Sequence, residues 1–294
     1  LKGTGDNRHI YPADYQYYKK KNACVLTNTS EGYGWTYNLT VNAEPIKNLN
    51  LMAAYTHTVM KEMTGMPGSN AYSTWANMYT VEGPNFLKLS NSRYVIPDRI
   101  IASANYTYGK DHFSLFYQGY SPSGYSFFYD GDINGDGNKY DMMYIPKDEN
   151  DIHFTKAEDA KLFWDFVNQD SYLKNHKGEY AEPYSARAPF VHRFDFRWAH
   201  DFDVKVGNTT HKLVLSMDIM NVGNLFNSKW GVEKNMIGCN NGKILKVDKV
   251  KDGVPYFSMF KDKATGLAPT STWDFNRNYN QCWKMQIGVK YIFN

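Results

Sequence analysis

The chain has 294 residues, a net charge of +3 and a mean hydropathy of -0.60. It contains no apolar run long enough for a transmembrane helix, and its small positive charge gives no sign of a nucleic-acid partner. Aromatic residues make up 16% of it, with 24 Tyr, 17 Phe and 7 Trp. Outer-membrane β-barrels use such amphipathic rings as girdles at both membrane surfaces. The composition therefore leaves two classes open, a tyrosine-rich soluble binding protein and a membrane β-barrel.

Alternation of apolar and polar residues predicts an antiparallel β protein. The pattern is clearest from Phe190 to Trp198, where aromatic residues on even positions alternate with smaller or charged ones, and it resumes after a turn at Gly207. β-forming residues at 14–28 predict one more strand. The other predicted strands, which share the two-residue period, lie at 34–43, 50–60, 100–108, 113–117, 212–219 and 283–293.

Short and long connections alternate along the chain. Short turns follow residues 44, 108 and 202, whereas long connections occupy residues 61–97, 121–188 and 224–271. Tight turns at one end and long loops at the other are typical of an outer-membrane barrel, and a β-sandwich has no reason to separate them. We therefore predict an all-β fold, an antiparallel transmembrane up-and-down β-barrel whose apolar face meets lipid and whose polar face lines a wet lumen.

The second long connection contains one predicted helix. A capping box at Thr155 and Glu158 precedes an apolar stripe, and Gly178 is a stop signal. In the third connection, Asn241-Gly242 and Asp252-Gly253 predict hairpin turns. The stripe, which we interpret as local packing, consists of Ala160, Phe163, Phe166 and Val167.

Catalytic motifs are missing from the sequence. It has no Gly-x-Ser-x-Gly, no His-Glu-x-x-His and no phosphate-binding loop, and its eight histidines are scattered. We therefore expect a protein that is not an enzyme, with a barrel-embedded lipase or protease as the catalytic alternative. The three cysteines, Cys24, Cys239 and Cys282, lack metal-binding spacing, and both a Cys239–Cys282 disulfide and free thiols are open.

Five ordered phrases resemble a known family. They are residues 26–32 (LTNTSEG), 94–99 (YVIPDR), 131–137 (GDINGDG) leading to 144–146 (YIP), 188–195 (APFVHRFD) and 218–227 (DIMNVGNLFN). In this order they are similar to the C-terminal barrel of TonB-dependent outer-membrane receptors of the Bacteroidetes, especially the Oar-like type. The resemblance covers nearly the whole chain. The chain departs from the family at its end, where the aromatic Phe293 stands one place before the last residue.

The resemblance implies a nutrient importer of the bacterial outer membrane. Residues 1–294 would be the C-terminal portion of a barrel of about 22 strands, with the plug, the TonB-contacting segment and the earlier strands outside this chain. The implied partners are outer-membrane lipids, the TonB complex, a surface lipoprotein lid and a nutrient, which is a glycan, a peptide or a metal complex. No nucleic acid is implied.

Two other functions fit the same patterns. One is a small self-contained barrel of about eight strands that acts as an adhesin or structural protein. The other is a soluble carbohydrate-binding β-sandwich. The receptor needs additional N-terminal sequence with a plug, the small barrel needs only an export signal, and the sandwich would stay soluble without detergent.

Three sets of residues are candidate sites. Oxygen ligands at an EF-hand-like spacing, with Gly137 at the sharp turn, suggest Ca²⁺, although Met143 stands where the bidentate Glu is usual. The calcium set, whose alternative is an acidic turn cluster without an ion, is Asp130, Asp132, Asn134, Asp136, Asn138 and Asp141. The lumen-facing set, which forms a polar path, a plug contact or merely cross-strand ion pairs, is Arg193, Asp195, Arg197 and Asp218. The aromatic set, which either stacks on sugars and peptides or packs the loops, is Tyr72, Trp75, Tyr79, Tyr125, Phe128 and Tyr129.

Overall fold

Antiparallel strands dominate the computed structural model, which describes residues 1–12, 24–65, 67–122, 124–207 and 209–293. The strands are β1 (Tyr33–Ile46), β2 (Leu49–Glu62), β3 (Ser90–Asn91), β4 (Asp98–Tyr108), β5 (Asp111–Tyr120), β6 (Gly124–Tyr125), β7 (Ala186–Arg187), β8 (Val191–Val206), β9 (Thr209–Met220), β10 (Lys234–Asn235), β11 (Leu245–Lys251), β12 (Val254–Met259), β13 (Asp274–Phe275) and β14 (Lys284–Ile292). The α-helices are α1 (Ala71–Ala76), α2 (Ala157–Gln169), α3 (Ser171–Asn175) and α4 (Val222–Phe226). Short 3-10 helices cover Glu149–Asp151, Ile237–Gly242 and Tyr279–Gln281. None of the α-helices in the described parts of the chain combines the length and the apolar character of a membrane span.

The seven long strands form one antiparallel sheet in the order β1-β2-β4-β5-β8-β9-β14, and the short β3 pairs with β2. Tight turns join β1 to β2, β4 to β5 and β8 to β9 at one end of the sheet, and the long connections leave from the other end. The predicted all-β fold and the separation of short and long connections are thus confirmed. Within the described chain β1 and β14 each pair on one side only, so the sheet is open at both edges.

The alternation located the long strands but not their ends. β1 continues to Ile46 and β8 to Val206, each a few residues beyond the predicted strand. The strand predicted at 14–28 lies mostly outside the described residues, and residues 24–28 form no strand.

The pairing register places most apolar residues of the seven long strands on one face. Ala102 of β4 lies between Ala53 of β2 and Tyr117 of β5, and Tyr117 in turn pairs with Phe194 of β8. Successive residues of a strand point to opposite faces, so the residues between these are on the other side of the sheet. That second face is polar, as shown by the 2.7 Å hydrogen bond from Asn38 Nδ2 to Thr56 Oγ1.

The buried core lies within the long connections rather than against the sheet. We call the packed segments at residues 1–12, 67–97, 124–188 and 224–275 the loop body. Because Phe163, Phe166 and Val167 of α2 are buried in this core, the interpretation of the helix stripe as local packing is confirmed. The core consists of Phe127, Phe128, Tyr129, Ile133, Met142, Met143, Ile145, Ile152, Phe163, Phe166, Val167, Leu173, Ala181, Ala186, Met236, Cys239, Ile244, Leu245, Phe257 and Met259.

The predicted ends of α2 are wrong on both sides. Its N-cap is Lys156, without a side-chain cap, because the Thr155 hydroxyl instead donates to Asp248 Oδ2 at 2.7 Å. The helix ends at Gln169, before Gly178, because Asp170 accepts the first backbone N–H groups of α3. Competing tertiary and capping contacts therefore override the local signals.

One of the two predicted hairpin turns is present in the structure. Asp252-Gly253 makes the predicted turn between β11 and β12, whereas Asn241-Gly242 belongs to a 3-10 helix. Cys24, Cys239 and Cys282 are free thiols in the described structure, so the Cys239–Cys282 disulfide is not formed.

Candidate functional site

A row of aromatic side chains lies on the apolar face where the strands lead into the long connections. Tyr117 and Phe194 have ring centroids 4.9 Å apart. Polar atoms of the row are hydrogen bonded, since the Tyr55 hydroxyl donates to Asp98 Oδ1 at 2.7 Å and His57 Nδ1 lies 2.8 Å from the same oxygen. The row, on or at the ends of the strands, comprises Trp35, Tyr37, Tyr55, His57, Tyr117, His192, Phe194 and Trp283.

A second aromatic row lies on the same face at the tight-turn end. Trp198 Nε1 donates to Asp111 Oδ1 at 2.9 Å, and His200 Nδ1 lies 2.8 Å from that oxygen. The rings of Tyr291 and His211 stack at 5.6 Å with an interplanar angle of 3°. The row comprises Tyr106, Tyr108, Phe113, Trp198, His200, Phe202, His211, Tyr291 and Phe293.

An aliphatic band separates the two rows. In the described strands it carries no charged side chain, and its members include Leu39, Val41, Ala53, Ala104, Leu115, Leu215, Ile287 and Val289. From Trp283 to Phe293 the β14 segment extends about 33 Å at about 3.3 Å per residue. With a tilt of about 40°, this becomes a height of about 25 Å, the height of the apolar band of an outer-membrane barrel.

The lumen-facing set lies on the polar face, and all four side chains have protein partners. Arg197 Nη1 contacts both oxygens of Asp218, at 2.6 and 2.8 Å, across the β8–β9 pair. Asp195 Oδ1 accepts the backbone N–H of Asn221 at 2.7 Å. Arg193 Nε donates to the backbone oxygen of Gly231 at 2.9 Å. Arg197 and Asp218 thus form a cross-strand ion pair, whereas Asp195 and Arg193 bind backbone groups. A role of the set in a polar path or a plug contact stays a prediction.

The predicted calcium loop is held by its own side chains. The two oxygens of Asp132 accept the backbone N–H groups of Gly135 and Gly137, at 2.6 and 2.8 Å. Asn134 Oδ1 accepts from the Asp136 backbone at 3.1 Å in the same manner. In the part of the chain that the structure describes, no group of three or more His, Cys, Asp or Glu is placed to hold a metal ion. Two further candidates have other partners, since Asp130 pairs with Lys243 at 3.6 Å and the Asn138 amide donates to the Met78 backbone at 3.0 Å.

Asp141 is the most perturbed group of this loop. Its side chain is fully buried, and Oδ2 accepts the backbone N–H of Ile133 at 3.0 Å. Oδ1 finds no hydrogen-bond donor among the described residues, although Arg8 Nη1 lies 3.7 Å away. Burial raises the pKa of the Asp141 carboxyl to about 8, because the charged form loses its hydration.

The charge that faces Asp141 comes from a residue that the sequence did not indicate. Arg8 is fully buried, its Nε lies 2.9 Å from Asp6 Oδ1, and its Nη2 donates to the Met142 backbone at 2.6 Å. The guanidinium carbon stands 5.2 Å from the ring centroid of Tyr129. Arg8 thereby binds residues 1–12 to the rest of the loop body. An arginine in a turn-rich segment without periodicity carries no sequence signal for such burial.

The aromatic set divides between surface and core. Tyr72 is 60% exposed and stacks on Trp75, with centroids 6.1 Å apart, on the outer side of α1. Tyr79 and Tyr125 are half-buried against the core, and Phe128 and Tyr129 belong to it. Tyr72, with Trp75 stacked beside it, is thus the exposed member of the set.

Compared with known proteins, the chain matches no family model, no curated protein and no solved structure.

Proposed function

We propose that this chain is the C-terminal part of a TonB-dependent outer-membrane receptor barrel, which binds a nutrient and imports it without covalent catalysis. The observation that carries the proposal is the two-faced sheet. One face has an aliphatic band between two aromatic rows, which suits lipid between two membrane surfaces. The other face is polar, which suits a water-filled lumen.

The exposure of the apolar face favours lipid over a soluble sandwich. A sandwich would bury this face against a second sheet. In the described chain Leu39 is 53% exposed and Ile287 and Val289 are each 68% exposed. Soluble monomers rarely expose continuous apolar surfaces of this kind. Import of a nutrient, and the roles of TonB and a lipoprotein lid, rest on the family resemblance.

Quenching by lipid tests the membrane placement. The full chain is reconstituted in vesicles whose acyl chains carry bromine, which quenches nearby indoles. We expect Trp198→Phe and Trp283→Phe each to reduce the share of the tryptophan emission that bromine quenches, because both indoles lie in the aromatic rows. Trp164→Phe is the control, since Trp164 lies on α2 in the loop body. A chain that stays soluble without detergent and escapes bromine quenching would contradict the proposal.

Uptake separates the receptor from an adhesin. Cells that lack the gene encoding this chain are compared with wild-type cells for uptake of candidate glycans, peptides and metal complexes, with and without the proton gradient. A receptor predicts the loss of one gradient-dependent uptake. Normal uptake of every nutrient combined with weaker surface attachment would favour the adhesin.

Calcium binding at residues 130–141 is a subordinate proposal. It is supported by the ligand spacing and by the buried Asp141 Oδ1, which lacks a hydrogen-bond donor among the described residues. Asp132, Asn134, Asp136 and Asp141 would supply the hard oxygen ligands that Ca²⁺ prefers. The expected result is a rise in the melting temperature in millimolar Ca²⁺ that Asp132→Asn abolishes. The same melting temperature with and without Ca²⁺ would refute it.

A further inference from the structure

The β11–β12 hairpin has one buried face and one charged face. Leu245, Val247, Phe257 and Met259 point into or pack against the core of the loop body. A register shift between Val247 and Lys249 marks a bulge, where strand β11 contains one extra residue. Because of this bulge, Lys246, Lys249 and Lys251 pair with Ser258, Tyr256 and Val254, which all lie on the side opposite Phe257.

The bulge therefore aligns three lysines on one outer face. In a regular strand Lys249 and Lys251 would share the face of Val247 and point inward. Instead all three are exposed, with Lys246 exposed by 62%. Lys2 contacts the hairpin tip, where its backbone N–H donates to Gly253 O at 2.8 Å and the carbon atoms of its side chain lie beside that glycine.

The positive charge of this lysine face is only partly neutralised. Asp248 is 21% exposed and is occupied by the hydroxyls of Thr155 and Ser258, with Lys246 3.8 Å away. Asp252 is exposed at the turn. Within the described chain neither Lys249 nor Lys251 has a carboxylate within ion-pairing distance. The face thus keeps two ammonium groups that are free to bind an external anion.

We propose that this lysine face binds an acidic polysaccharide through its carboxylate or sulfate groups. Lysines two residues apart on a strand present charges about 7 Å apart, which fits a flexible polymer with repeated charges. A single-stranded nucleic acid would need open aromatic rings for base stacking. The nearest ring, Tyr256, is covered by Lys249, whose Nζ lies 5.0 Å from the ring centroid, and by His153 at 5.7 Å. Because the lysine face has positive charge but no open aromatic ring, it favours an acidic polysaccharide over a single-stranded nucleic acid.

Fluorescence anisotropy of the detergent-solubilised full chain tests this proposal. The probes are labelled polygalacturonate and dextran sulfate, with neutral dextran and oligothymidylate as comparisons. We expect salt-sensitive binding to one or both acidic polysaccharides, and no binding to neutral dextran. The triple variant Lys246→Ala/Lys249→Ala/Lys251→Ala should bind about 25-fold more weakly, since each of the two lysines without a carboxylate partner contributes roughly a fivefold factor.

A matched triple variant controls for net charge. Lys88→Ala/Lys139→Ala/Lys174→Ala removes three exposed lysines outside the hairpin and should keep the wild-type affinity. The single variant Lys251→Glu, next to the turn, covers the case in which the first triple variant misfolds, and should lose at least about fivefold. Equal affinities of the two triple variants, or tighter binding of oligothymidylate than of either polysaccharide, would overturn the proposal. This experiment does not depend on nutrient import, so the two proposals fail separately.

Discussion

The buried Arg8 side chain holds together residues that are far apart in the loop body. A single guanidinium faces two buried carboxylates, and it lies closer to Asp6, at 2.9 Å, than to Asp141, at 3.7 Å. One positive charge cannot neutralise two negative charges. Because the guanidinium pairs with Asp6, Asp141 is the carboxyl group without a close counter-charge. This arrangement agrees with the raised pKa of Asp141.

Removing the guanidinium should destabilise the loop body strongly. Arg8→Met keeps much of the side-chain volume but leaves Asp6 without its buried counter-charge. Breaking a buried ion pair in this way costs about 3–5 kcal/mol. Urea unfolding followed by near-UV circular dichroism measures this loss. Arg277→Met, at an exposed position, is the control and should unfold at the wild-type urea concentration. An unchanged unfolding midpoint for Arg8→Met would show that the cluster contributes nothing to stability.

Asp141 should make the loop body less stable as the pH rises. Its folded pKa of about 8 lies above the ordinary value of 3.8, so the folded state holds a proton that the unfolded state releases. The free energy of unfolding therefore falls between about pH 4 and pH 8, by at most about 1.4 kcal/mol per pH unit. Melting curves at several pH values measure this slope. The slope should be smaller in Asp141→Asn, and an identical slope in both proteins would mean that another group causes it.

Sequence reasoning succeeded for the elements with a period and failed elsewhere for a physical reason. In β1 or β14 every second side chain lies in the same environment, so the alternation of residue types indicates which face of the sheet each side chain is on. The loop body has no such period, and the burial of Phe127 or Met142 depends on contacts with distant segments. The bulge near Lys249 is likewise set by packing against the core. Of the candidate sites, the lumen-facing set lies opposite the aromatic face, as the period of two in β8 indicates, whereas the role of Arg8 could not be predicted.

A matched pair of substitutions on β14 distinguishes a lipid-facing from a water-facing strand. Ile287 and Gln286 are neighbours on opposite faces, and both are exposed. Ile287→Lys should reduce insertion into vesicles, because a lysine near the membrane midplane costs about 2–4 kcal/mol. Gln286→Lys should insert normally. Insertion is measured by protection from protease. In a water-soluble protein both substitutions would be tolerated, so equal insertion of the two variants would argue against the lipid-facing assignment.

At the scale of the whole molecule, the backbone groups at the two open edges of the sheet would need hydrogen-bond partners in a membrane. The free edges of β1 and β14 expose backbone N–H and C=O groups, which a hydrocarbon environment does not tolerate. A bilayer therefore requires that the sheet close, either on itself or through further strands. Single-chain bacterial barrels have an even number of strands, from about eight upward, which exceeds the seven long strands described. Under the proposed membrane placement, additional strands would complete the barrel.

If the chain is part of a plugged receptor, as proposed, the intact polypeptide should be much larger than 34.0 kDa. Mass spectrometry of an outer-membrane extract, with peptides of this chain as the identifying markers, measures the native mass directly. A large mass would agree with a plugged receptor whose other strands pair with β1 and β14, and ligand screening should then concentrate on Tyr72, Trp75 and the lumen. A native mass near 34.0 kDa would instead agree with a small self-contained barrel. In that case nutrient import would lose its support and the adhesin would replace it.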